Sequence, residues 1–141
     1  MTTRYFALTI GIFFVLLGML GLVPNLVSLP IGAPILTVDA GYGYLFGLFP
    51  VNLLHNLVHL TVGILGILAY RSVSSAQLFA RGLTIFFAVL AVLGLIPSMD
   101  TTFGFIPLFG NEVWLHGLTA LVSAYFGYAT PRTRDIGPRA V

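Results

Sequence analysis

Apolar residues occupy four long runs of this chain, separated by segments rich in Gly, Pro, Asp and Arg. As a helix, about 20 such residues cross the ~30 Å hydrocarbon core of a bilayer; the runs lie at residues 5–23, 49–70, 77–96 and 112–128. The first and third close on GLVP (21–24) and GLIP (94–97), where proline removes a backbone donor and stops a helix. Between the second and third lies the polar turn SVSSAQ, flanked by Arg71 and Arg81, and PRTRDIGPRAV closes the chain. The pattern predicts an all-α fold: a four-helix transmembrane bundle over residues 1–130 and a polar tail over 131–141. A signal peptide is the competing reading of the first run. That run exceeds the ~7–15-residue apolar core of such peptides and has no A-x-A site before Pro24.

Composition agrees with the pattern. Of the 141 residues 58% are hydrophobic and 7% charged, with a mean hydropathy of +1.04, whereas a soluble domain carries about 25% charged residues. One domain is the natural count at this length. The absence of cysteine excludes disulfides, thiolate metal sites and thiol redox chemistry. Six arginines and no lysines make the basic balance, and nothing in their spacing suits nucleic acid.

Charge placement orients the bundle. Four spans put Arg4, Arg71, Arg81, Arg132, Arg134 and Arg139 on one side, while the opposite loops hold Asp39, Asp100 and Glu112. The positive-inside rule then places both termini in the cytoplasm. The far loops, residues 24–48 and 97–111, are rich in Gly, Pro and aromatics and are expected to fold back onto the bundle.

The halves of the chain resemble one another. GLVP, loop, LFGLFPVN and LLH in the first half answer to GLIP, loop, FIPLFGNE and WLH in the second, 73 residues apart at the GLxP motifs and 61 apart at His55 and His116. Two helical hairpins related by a pseudo-two-fold axis along the membrane normal are the expected architecture.

Within these apolar runs the polar residues are few and patterned. Asn52, His55 and His59 share one face of the second span; Glu112, His116, Thr119 and Ser123 share one face of the fourth. The expected depth of His55 and His116 is about 7–8 Å at 1.5 Å per residue. Polar groups at such depth are costly against lipid, so both stripes face inward. Two roles remain open for them. One is interhelical hydrogen bonding by the histidines, Asn52 and Asn56, with small-residue seams at Gly11/Gly18 and Gly117/Ala120/Ala124/Gly127. The other is a cofactor site: His55, His59 and His116 with Glu112 around zinc, copper or iron, or histidines with Asn52 around a haem or a chlorophyll-type magnesium. No nucleophile–base pair, phosphate-binding loop or HExxH motif is present, so a catalytic reading has little to stand on.

The block GLFPVNLLHNLVHLTVG (47–63) and the WLH at 114–116 resemble domain-of-unknown-function family 4383, over residues 5–128. The resemblance implies a small four-span protein of bacteria, cyanobacteria among them, and hence an inner or thylakoid membrane. Its partners are expected to be the lipid bilayer and either copies of itself or a larger membrane complex. Three functions follow as expectations: a non-catalytic component with a buried histidine site, a structural accessory subunit of a photosynthetic or respiratory complex, or a quinone-linked oxidoreductase.

Overall fold

The computed structural model of the chain describes residues 2–130; the tail expected at 131–141, with Arg132, Arg134, Asp135 and Arg139, lies outside them. The helices are α1 (Thr3–Gly21), α2 (Leu53–Ala69), α3 (Val73–Gly94) and α4 (Asn111–Ala124), the last continued by a π-helical turn over Tyr125–Ala129. By length and composition α1 and α3 can cross a membrane, and α2 is apolar but shorter at 17 residues.

The all-α expectation needs one correction. The loop between α1 and α2 builds a small antiparallel sheet in the order β1 (Val27–Ser28), β2 (Gly43–Leu45), β3 (Phe49–Val51). Residues 49–51, expected at the start of the second helix, are therefore a strand. Pro50 fits there because β3 is an edge strand, where a missing N–H is tolerated. Phe46 and Gly47 take positive φ to close the β2–β3 hairpin.

Capping explains the other shifted boundaries. Asn52 accepts a hydrogen bond from the His55 N–H at 2.9 Å and starts α2 at Leu53. Ser72 accepts from the Ser75 N–H at 3.0 Å, so α3 begins one turn earlier than expected and absorbs most of SVSSAQ. At the other end of the first hairpin, Val23 is extended ahead of Pro24, and α1 stops at Gly21.

Helix pairing rests on close backbone approach. A Cβ on Gly11 would lie 2.7 Å from Ile67 N and 2.8 Å from Gly63 O, and one on Gly63 would lie 2.5 Å from Val15 N. Only glycine permits this contact between α1 and α2. At the expected small-residue seam of α4, Gly127 comes close to Arg81 and Ala80 on α3, whereas Gly117 has only Ala91 nearby, at 4.0 Å. Phe14 of α1 and Phe87 of α3, both fully buried, stack with centroids 4.9 Å apart. The backbones of α2 and α4 stay apart, and side chains fill the space between them.

The two ends of the bundle are finished differently. At one, Arg4 Nε donates to Tyr70 O at 2.7 Å and Arg81 Nε to Gly127 O at 2.8 Å, each guanidinium also lying over a tyrosine ring, Tyr70 or Tyr128. At the other, the expected fold-back of the loops is present. The Thr37 and Val38 N–H groups both donate to Gly104 O, joining the two loops, and Leu45, Val51 and Leu108 are buried beneath.

The glycine contacts generate a paired test. Gly11→Ala drives a methyl into backbone and is expected to cost about 1–3 kcal/mol. Gly82→Ala, with nothing within 4 Å of the new Cβ, is expected to gain up to about 1 kcal/mol from helix propensity. Thermal unfolding of both in detergent checks this; equal melting temperatures would contradict the packing described.

Candidate metal centre

The caps and the loop roof fix where the polar stripes meet. His55 and His59 stand on successive turns of α2, and Glu112 and His116 on successive turns of α4. Facing across the gap between those helices, the four side chains bring one ligand atom each to within 4.8 Å of all the others. Glu112 Oε2 sits 3.3 Å from His116 Nε2 and 3.7 Å from His55 Nε2. The ring centroids of His55 and His59 are 4.4 Å apart, and those of His55 and His116 5.8 Å.

All four side chains are at most 2% exposed. The source of this burial differs from the expectation. Because α2 begins at Leu53, His55 lies in its first turn rather than about five residues inside. Shielding comes from the outer loops above and from an aromatic floor below, where Phe14 contacts the His59 ring at 5.1 Å and Phe87 the His116 ring at 5.0 Å.

The cluster's polar atoms have almost nothing to bond. The six ring nitrogens and both oxygens of Glu112 are buried without a hydrogen-bond partner, apart from the Pro50 backbone lying against His55. A buried polar group left unsatisfied costs about 1–3 kcal/mol, more when it is charged. One such atom from each of the four residues lies within 4.8 Å of the others, an arrangement of ligand types that could hold a metal ion.

The remaining polar residues divide by role. Asn52 is fully buried and fully engaged: its Nδ2 donates to Val38 O at 2.9 Å and Phe105 O at 2.7 Å while its Oδ1 caps α2. These bonds hold the start of α2 and both loops in place around the site. Asn56 sets its amide against Gly21 of α1, and neither amide atom has a hydrogen-bond partner among the described residues. Thr119 and Ser123 continue the buried face of α4 toward the opposite end. Sequence reasoning missed Phe14 and Phe87. Their spacing of 73 residues, equal to that of the GLxP motifs, was the available signal.

A family model described as a domain of unknown function, DUF4383, matches residues 4–129. The chain belongs to the DUF4383 family. No curated protein and no solved structure matches it. The site of this DUF4383 protein therefore has to be read from its own geometry.

Asn52 offers the sharpest test of that geometry. Asn52→Leu removes the cap and deprives the part-buried carbonyls of Val38 and Phe105 of their donor, with an expected cost of about 1–3 kcal/mol. Limited proteolysis should then cut within residues 29–39 well before the helices are attacked. Unchanged loop protection would contradict the fastening role.

Proposed function

We propose that this DUF4383 protein is a four-span membrane protein in which His55, His59, His116 and Glu112 hold one divalent transition-metal ion, joining two related hairpins near the non-cytoplasmic face. The observation that carries the reading is the convergence of four ligand atoms, one from each of these buried and unpartnered side chains, to within 4.8 Å of one another. Three imidazoles and a carboxylate suit zinc, which prefers four ligands in a tetrahedron with bonds of about 2.0–2.2 Å and ligand atoms about 3.4 Å apart. The widest pair here is 4.8 Å, a difference that small side-chain rotations close. Four protein ligands leave such an ion no open position, which favours a structural, non-catalytic centre. Donors converging on a point favour an ion over a haem, whose axial ligands must stand on opposite sides of a wide macrocycle.

Membrane insertion is supported by the inverted distribution of side chains. Asn52, Asn56, Gln77, Thr119 and Ser123 are buried, while Leu78, Ile85, Trp114, Leu118 and Leu121 are 62–76% exposed. Apolar surface this extensive marks contact with lipid or protein. The hairpin repeat is supported by pairs at matching offsets. Ala7 and Ala80 are both fully buried, Phe14 and Phe87 stack on each other, and Gly66 and Gly127 each receive the close approach of the helix bearing one of those alanines.

Elemental analysis of detergent-purified protein tests the centre. The parent is expected to carry about one zinc, copper or iron per chain, falling below about a tenth in the His55/His59/His116 triple alanine variant. Glu112→Gln, which keeps the side chain's shape, should weaken binding with the fold intact. Chelation should lower the melting temperature of the parent alone, since the ion binds only the folded form. A folded, metal-free parent unaffected by added zinc would reduce the cluster to packing.

Topology is tested separately. Reporters fused after Val141 or inserted beside Arg71 should read cytoplasm, and one near Asp39 the far side. A C-terminus on the far side would overturn the orientation.

A further inference from the structure

The two seams between the hairpins are not filled alike. Where α1 meets the end of α4, Phe6 and Phe126 stack with centroids 4.5 Å apart and close the seam with the chain's own side chains. In the hairpin repeat, the counterparts of Phe126 and Phe6 are Leu65 and Phe79, at the seam between α2 and α3. Leucine stands there in place of one phenylalanine, and Gly82 beside it has nothing within 4 Å of where a Cβ would be. The result is a groove of about 560 Å³, within the ~300–1,000 Å³ range of ligand sites.

The lining determines what can occupy it. Leu57, Val62, Leu83 and Phe86 make the walls and Ile106 of the second outer loop lies at one end. The one hydroxyl, on Thr61, donates to Leu57 O at 2.8 Å within its own helix. No polar group therefore waits for a ligand's head. From Leu54 to Leu65 the α2 wall runs about 16 Å at 1.5 Å per residue, parallel to the helices, so the space is a slot rather than a bowl.

We infer that this groove holds one hydrocarbon chain of a membrane lipid, seated between the hairpins as a fixed component of the fold. The inference rests on the membrane and repeat readings above. Its physical basis is that a dry slot this long loses dispersion contacts on every wall unless something fills it, and the matching seam shows an all-hydrocarbon filler in place. Val62 and Leu83 also belong to the apolar core that contains Phe14 and Phe87. The chain would thus seal the side of the bundle behind the histidines.

The test is photo-crosslinking in phosphatidylcholine vesicles doped with a phosphatidylcholine bearing a mid-chain diazirine, with adducts mapped by mass spectrometry. Two proteins are compared, the parent and Gly82→Leu, which plugs the slot at a helical position with room for a side chain. In the parent, adducts at Leu57, Thr61 and Phe86 should exceed those at the exposed Leu118 and Leu121 several-fold. In Gly82→Leu the groove adducts should fall about tenfold while those at Leu118 and Leu121 stay unchanged. Equal labelling of groove and exposed residues, or groove labelling that ignores the plug, overturns the inference. Groove residues shielded from label in native membranes yet labelled in vesicles also overturn it, because a protein partner then covers the seam. Absence of label at Leu118 and Leu121 would instead count against the membrane reading, and metal content measured on the same samples reports the centre independently.

Discussion

Asn52 joins three parts of the structure through one amide. Its oxygen starts α2, and its nitrogen holds one carbonyl from each outer loop. Because His55 is the residue whose N–H is capped, the first imidazole of the cluster is aimed by the same contact that fastens the roof. An aspartate would carry the cap but could not donate to the loop carbonyls, and a serine would be too short to reach both. Asparagine has the needed acceptor and two donors in a single plane.

Below that fastening, the bundle is asymmetric in what holds it. Within each hairpin the helices touch backbone to backbone through glycine, and apolar matter is squeezed out. Between α2 and α4 the backbones stand off, and the space is given to imidazoles, a carboxylate and two phenylalanine rings. Elsewhere the buried Thr3, Asn52 and Gln77 find hydrogen-bond partners; in this gap the imidazoles and the carboxylate face one another without them. The low-dielectric setting raises the stakes of that arrangement, since it strengthens any pairing and penalises any vacancy.

Much of this was legible in the chain. The apolar runs located all four helices, whereas Phe14 and Phe87, although 73 residues apart like the GLxP motifs, look like any other apolar residues of a span until they stack. The histidine and glutamate set was legible because helical spacing puts polar residues on one stripe, and an apolar helix has only one place to hide a stripe. The sheet was not. FPV reads as the start of an apolar helix unless its pairing with Gly43–Leu45 across a tight turn is known, and such pairing leaves no periodic signal in three residues. The capping role of Asn52 was hidden for a similar reason: a cap and a ligand look identical in sequence until the loops the side chain holds are placed.

The arginine caps bear on how the protein is made. Each runs from the first helix of a hairpin to the end of the second, Arg4 to Tyr70 and Arg81 to Gly127, and neither crosses between hairpins. Each hairpin thus carries its own latch, closed by residues that are synthesised last in that hairpin. The first can lock as soon as Tyr70 emerges, before any of the second exists. What joins the halves, the Phe14/Phe87 stack and the histidine–glutamate cluster, needs residues from both. The contacts that make the two halves one molecule are thus those whose last partner, on α4 or α3, is synthesised late.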